Sequence, residues 1–586
     1  MGSKLESTEH STPIVETENR SSSTSHNSSI KDNENADVEN ARGSAAVVPN
    51  WKPSTHELLI MLSLAVISLM VSLDASIIIT SLTQMTSELG GTATEGFWIG
   101  TSYLLTNAVF MPVIASLSDI FGRPVCLLTS LVFFTVGSIV AATAKTMMTL
   151  LVGRCVQGIG GGGITILALV IFTDIVPLRF RGKFYGIIQA AWAIGSLLGP
   201  VLGGAFAKNT AWRWVFYLMF PFCFVGFATI PFVLTLKPKT ETLGTKLKRV
   251  DWTGYALFIS SMTSFLIAIS WGGVQQPWDS WRTIVPLVLG VFGLILTGFW
   301  ELYRAKEPFL RRSLFYCPSA FAAYLGTFIQ GLMMFGCLYY AALYFIAVRH
   351  TTFLQAGVDM LPQALALVPI SIIVGGLITR ANRFRWAVWS GWLIATIGTG
   401  LLVIWGANTP PTAWIPIMMT VGIGHGLILS AQNFATQAIA LPRDEASAAA
   451  MYAFLRSLGS AMGVGIGGSV FQNTMAVKLK QYGLPATIAK NAESYISVMW
   501  KDGIDPVVRT QSIDAYVFGI RGTFAFFCGM GGLAGIASLF IKHFDMNKEL
   551  DSDHKLGQMR GSRSPKQQHP LQGSDEGKSV QSSTRN

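Results

Sequence analysis

Along most of this chain apolar residues do not alternate with polar ones but run in blocks, each closed by a short polar turn. The blocks are about 20 residues long, the length at which an α-helix crosses roughly 30 Å of hydrocarbon. There are fourteen, over 58–80, 97–117, 125–143, 147–172, 184–206, 214–235, 253–271, 283–301, 321–346, 358–379, 386–406, 413–434, 447–471 and 518–541, with Pro or Gly interrupting the eighth and twelfth. The pattern predicts an all-α polytopic membrane protein. Residues 1–50 and those beyond about 545 hold no apolar block, are rich in polar and charged residues, and are expected to be disordered tails. No signal-peptide core precedes the first block.

Of the 586 residues, 51% are hydrophobic and 13% charged, which also places the protein in a bilayer. The formal charge of +11 does not point to nucleic acid, because the bases cluster between apolar blocks, where they orient the chain. With the amino terminus in the cytoplasm, the inner loops carry Arg123, Arg179, Arg181, Lys183, Lys237, Lys239, Lys246, Lys248, Arg249, Arg304, Lys306, Arg311, Arg312, Arg380, Arg383, Arg385 and Arg443. The short outer loops carry only Lys145, Lys208, Arg213, Arg282 and Arg349. An even number of spans then leaves both termini cytoplasmic. The external stretch 472–517 runs against this bias with Lys478, Lys480, Lys490, Lys501 and Arg509, but it is long and distant from the helix ends. Cys126, Cys155, Cys223, Cys317, Cys337 and Cys528 lie in or beside apolar blocks and read as free thiols. No Walker A, GxSxG, HExxH or paired CxxC sequence occurs, so no ATP-driven step, enzyme activity, cofactor or metal site is expected.

Candidate chemistry lies inside the blocks. The fifth contains GIIQAAWAIGSLLGPVLGG, in which Gly195, Gly199 and Gly203 recur every fourth residue with Gly204 beside them. That is a bare stripe for close approach of another helix, and Pro200 removes a backbone hydrogen bond within it. A tight helix pair with no further role has the same spacing. After the second block, Asp119, Gly122 and Arg123 stand in ASLSDIFGRP, either pairing across helices in one conformation or forming a solvated turn. The fourth block opens LVGRCVQGIGGGG, placing Arg154, Gln157, Gly158 and Gly161 on one helical face. An intramembrane charge costs roughly 2.5–3.5 kcal/mol, so Arg154 lines a wet cavity, meets an acid or snorkels to the interface. Asp74 is the acid at the right depth. Counted at about 1.5 Å per residue it lies roughly 9 Å below the outer end of its block, and Arg154 about 10 Å below the same surface. Gln157, Gln189, Trp192, Gln330 and Tyr340 offer amide or aromatic surface to an amphipathic ligand, or else pack helices. His425, in GIGHGL, is either a structural hydrogen bonder or a proton relay.

ASLSDIFGRP, LVGRCVQGIGGGG and GSLLGPVLGG resemble the three signature motifs of the major facilitator superfamily, the last being similar to the antiporter motif of its exporters. Ala115, Ile120 and Pro124 depart from the loop motif, which usually has glycine at the first position and bases at the other two. Fourteen spans, SLDASIII and WRWVFY resemble the drug:proton antiporter branch, in particular the fungal multidrug and secondary-metabolite (mycotoxin) efflux pumps. The resemblance implies two six-helix bundles, in 57–235 and 320–542, with two inserted helices in 236–315 and a long external loop at 472–517. It implies proton coupling by Asp74 and Arg154, gating by Asp119, Gly122 and Arg123, and an antiporter hinge at Gly195, Gly199, Pro200, Gly203 and Gly204. The expected partners are a small organic substrate, protons and lipid; the protein is expected to be a monomer in the plasma membrane, or a vacuolar or vesicle membrane. A fourteen-span siderophore importer and a non-transporting membrane sensor are the competing readings. The antiporter motif weighs against the first and the short tails against the second.

Overall fold

The first two helices start where the sequence supplies caps. Ser54 accepts from the backbone of Glu57 at 3.2 Å while the Glu57 carboxylate accepts from the backbone of Ser54 at 2.6 Å, and Thr92 and Glu95 repeat this reciprocal pair at the second helix. In the computed structural model, residues 51–209, 211–234, 242–273, 275–305, 307–501 and 503–546 are described. The expected tails at 1–50 and 547–586 lie outside them.

Among the described residues, fourteen long helices occupy the expected intervals: α1 Thr55–Glu88, α2 Ala93–Phe121, α3 Arg123–Ala142, α4 Met147–Ile175, α5 Leu178–Asn209, α6 Trp214–Val233, α7 Trp252–Trp271, α8 Trp281–Tyr303, α9 Pro318–Val348, α10 Leu361–Ala381, α11 Arg385–Leu402, α12 Pro411–Ile439, α13 Glu445–Gln481 and α14 Pro506–Ser538. Among the described residues, twelve are long and apolar enough to cross a membrane by length and composition. The other two, α11 and α13, are less apolar for visible reasons. The first is short and rich in Trp and Gly; the second is rich in Ala, Gly and Ser and carries Arg456 within its apolar stretch. The interrupted eighth and twelfth blocks both form continuous helices despite Pro286 and Pro416, each of which falls in the first two turns.

One packing pattern occurs twice, offset by eight helices. α1 lies along α5, α2 along α4 and α3 along α4; correspondingly α9 lies along α13, α10 along α12 and α11 along α12. Two similar six-helix bundles result. The helices α7 and α8 pack on each other, and α7 touches α2 in one bundle and α13 in the other. The bundles meet through α5 against α10, and through α2 and α4 against α13.

The stretch 472–517 differs from the loop expected there. α13 continues to Gln481, short helices cover Thr487–Lys490 and Ala492–Met499, and α14 begins at Pro506. These extensions are too polar to register as apolar blocks, and side chains hold them: Lys478 reaches Asp514 at 3.4 Å, and Trp500 Nε1 donates to the Ala347 carbonyl at 3.1 Å. The Tyr482 hydroxyl and then Asp514 hold the Lys478 ammonium above its ordinary pKa. The six cysteines are unpaired thiols.

Candidate functional site

Asp74 on α1 and Arg154 on α4 form an ion pair with both side chains buried, Arg154 Nη1 donating to Asp74 Oδ2 at 2.9 Å. Gln157, one turn along α4, closes the triangle. It accepts from Arg154 at 2.6 Å and donates to Asp74 Oδ1 at 2.8 Å and to Ser138 Oγ at 2.9 Å. Arg154 Nε donates to the Ile99 carbonyl at 3.1 Å, and its guanidinium lies 4.3 Å from the centroid of the Tyr103 ring. Both carboxylate oxygens of Asp74 thus accept from side chains of α4. The pair is neutral as a unit, and adding a proton to Asp74 leaves Arg154 with an uncompensated charge in a buried site.

The glycine stripe of α5 lies against α1, the helix that carries Asp74. A Cβ on Gly195 would come within 2.6 Å of the Leu69 carbonyl, and one on Gly199 within 2.0 Å of Ser76 Oγ. Small polar side chains fill the rest of this seam: Ser72 Oγ lies 2.8 Å from Ser196 Oγ and also donates to the Trp192 carbonyl. Gly203 and Gly204 continue the same helix, whereas the Pro200 side chain lies outside the described residues. Gly195→Ala is expected to destabilise the protein by about 1–3 kcal/mol, the usual cost of overpacking. Gly244→Ala, with open space around it, is the control. If thermal melting of purified protein showed Gly195→Ala unchanged from wild type, close α1–α5 contact would not be a constraint.

The charged residues of the α2–α3 turn gather on one face, here called the basic face. Arg123 pairs with Asp119 at 2.7 Å and Asp174 at 3.0 Å, and also donates to Ser118 Oγ. Gly122 makes the turn at φ +99°, a conformation that side chains disfavour. All of these bonds stay within the first bundle. On this face Arg181, at the start of α5, crosses to the second bundle, to Glu445 at 2.7 Å and Gln437 at 2.6 Å. Arg311, in the segment between α8 and α9, adds a bridge to Asp444 at 2.8 Å and Asp119 at 3.6 Å. From the sequence Arg181 and Arg311 have only a topological role, because their partners are remote along the chain.

The five candidate ligand contacts separate. Gln157 belongs to the Asp74 network, with its amide engaged. Tyr340 is buried inside the second bundle, packed on Phe471 and donating to the Val464 carbonyl at 2.9 Å. Gln330 is also buried there, on α9, and neither its amide oxygen nor its nitrogen has a partner among the described residues. Only Gln189 and Trp192 lie where α5 faces the second bundle. Trp192 packs against Met334, Leu367 and Leu429, and its ring lies 5.5 Å from the Arg456 guanidinium. Among the described residues the structural hydrogen bond considered for His425 is not formed, since both ring nitrogens are buried with no partner there. Arg456 is not among the residues expected to be functional, although it is the one charged residue within 447–471.

Residues 64–464 match the family model of the Major Facilitator Superfamily. The chain belongs to that superfamily. This major facilitator protein is 40% identical over 507 residues to MFS transporter L2 of Phoma sp., covering 86% of this chain and 85% of that one. It is 32% identical over 516 residues to the acurin A biosynthesis cluster MFS-type transporter of Aspergillus aculeatus, covering 85% and 91% of the two chains. To efflux pump FUS6 of Gibberella moniliformis it is 30% identical over 515 residues, covering 86% and 91%. Among solved structures, a bacterial homologue of the human lysosomal transporter Spinster has a TM-score of 0.51 at 17% identity, covering 84% of this chain and 98% of that one. The protein is therefore a multi-pass membrane transporter with the major facilitator fold.

Proposed function

We propose that this transporter exports a small amphipathic organic compound, of the fungal secondary-metabolite, toxin or drug class, in exchange for protons. The observation that carries this reading is the buried Asp74–Arg154–Gln157 network. In it, one proton taken up by Asp74 converts a neutral, fully bonded cluster into a charged one. The network has α1 as one wall, and α1 is in close contact with the glycine seam of α5, so a charge-driven adjustment of α1 is transmitted to the helix that faces the second bundle. Relatives named as an efflux pump and as a biosynthesis-cluster transporter support the outward direction and the compound class.

In this reading the basic face is cytoplasmic, both termini lie inside, and a monomer works in the plasma membrane. Substrate enters between the bundles once the Arg181 and Arg311 bridges part, and leaves on the opposite side once they re-form. A proton moving down about 100 mV and one pH unit releases roughly 3.7 kcal/mol, enough for a substrate gradient on the order of several hundredfold. The test is transport by purified protein in proteoliposomes under an imposed proton gradient. Accumulation of an amphipathic fluorescent substrate that collapses with a protonophore is expected. The same final gradient with and without the protonophore would eliminate proton exchange.

A further inference from the structure

Arg456 lies near the middle of the thirteenth span and makes no ion pair among the described residues. In this it differs from the fully buried arginines: Arg123 has Asp119 and Asp174, Arg154 has Asp74, and Arg181 has Glu445. A cation at this depth is costly unless something compensates its charge. What surrounds it is aromatic. Its guanidinium lies 5.5 Å from the Trp192 ring centroid, close enough for a cation–π contact across the boundary between the bundles. One turn earlier on the same face of α13, Tyr452 packs with Leu169 and Ala449, and Tyr185 of α5 packs against that cluster. Tyr185, Gln189 and Trp192 are spaced i, i+4 and i+7, so they share one face of α5. Opposed to them are Tyr452 and Arg456, spaced i and i+4. Gln189 and Arg456 are only half-buried, unlike the sealed Asp74 network.

We infer that Tyr185, Gln189, Trp192, Tyr452 and Arg456 form the binding site for the transported compound, and that this compound carries an anionic group, a carboxylate or an acidic enol or phenol, on an aromatic or apolar body. Resting on the transporter reading above, this narrows it to a substrate class. The guanidinium supplies a planar fork of donors for the anion, and the rings supply stacking surface. The site has contributions from both bundles, so it is complete only when they meet at this level. The bound anion replaces the missing carboxylate partner of Arg456. Gln189 offers an amide to a neighbouring carbonyl or hydroxyl of the same ligand.

The test uses the full-length protein in nanodiscs and three matched probes: dansylglycine, its neutral amide, and cationic dansylcadaverine. Equilibrium binding is read from dansyl fluorescence. Wild type is expected to bind dansylglycine about tenfold or more tighter than the amide, and dansylcadaverine weakest, since hydrogen bonds to a charged, desolvated group discriminate to that extent. Arg456→Gln is expected to bring the ratio of anion to amide affinity to about one, and Arg456→Lys to keep a preference of the same sign. A wild type that does not prefer the anion overturns the proposal, as does an Arg456→Gln protein that keeps the ratio or loses both probes equally. If Arg456→Gln does not purify, the probe order in wild type and in Arg456→Lys still decides. Binding is measured without a proton gradient. Anion preference with no proton-driven flux therefore upholds the site and rejects the coupling, and the reverse result rejects the site alone.

Discussion

Asp74→Asn is expected to abolish proton-driven accumulation in proteoliposomes, from a gradient on the order of several hundredfold to about one. Asparagine is close to isosteric, so its amide oxygen still accepts from Arg154 while its nitrogen faces the Gln157 amide nitrogen that donates to Asp74 Oδ1 at 2.8 Å. One bond of the triangle is lost, and Arg154 keeps its charge with no anion beside it. Removing one partner of a buried pair typically costs about 3–5 kcal/mol, so the variant is also expected to melt at a lower temperature. The two effects are separable. Adding Arg154→Gln to Asp74→Asn removes the orphaned charge and is expected to restore much of the melting temperature, yet it cannot restore coupling because no proton acceptor returns. If the single variant accumulated substrate like wild type and lost that gradient to a protonophore, the proton would be carried elsewhere. His425, buried with neither nitrogen partnered among the described residues, would then be the first residue to replace.

How far this site could be read from the sequence depended on distance along the chain. Asp74 and Arg154 were legible because each is a charge in an apolar block and helical rise alone fixes its depth. Glycine spacing located the α5 seam, but only the folded chain identifies α1 as the helix packed against it. Gln157 was placed on the correct face of α4, but periodicity gives no information on whether an amide is already engaged by neighbours. Arg456 was equally visible by the depth argument used for Arg154. Unlike Arg154, it stands in no motif, and no acid in the sequence lies at its depth to mark it as half of a pair. The fold was legible almost throughout, since a bilayer forces each apolar block to be a helix. The ends of α13 and the start of α14 were not, because helix that emerges from the bilayer can be polar on every side.

Arg181 is the residue whose loss should most alter the balance between conformations. It is 1% exposed and donates to Glu445 and Gln437 in the second bundle, while the Val176 and Thr173 carbonyls, each at 2.8 Å, hold it in place on the first. Arg123 makes as many bonds, but they end within its own bundle, so replacing it weakens the turn without directly parting the bundles. Losing one partner of the Arg181–Glu445 pair costs the closed arrangement about 3–5 kcal/mol. A shift of about 5.5 kcal/mol carries a two-state equilibrium from 1:99 to 99:1, so this loss is large enough to make a minority open state abundant. Ala449, fully buried where α13 meets the first bundle near Tyr452, is a suitable reporter. In a background with the six native cysteines replaced, Ala449→Cys is expected to react with a maleimide at least tenfold faster when Arg181→Gln is present. With Arg123→Gln the increase should be much smaller. Export should fall in the Arg181→Gln protein, because a transporter that cannot close its basic face cannot hold a gradient. Equal labelling rates with and without Arg181→Gln would show that the bundles are held by the α5–α10 and α2–α13 packing alone, and the ion pair would then be a passenger of that contact.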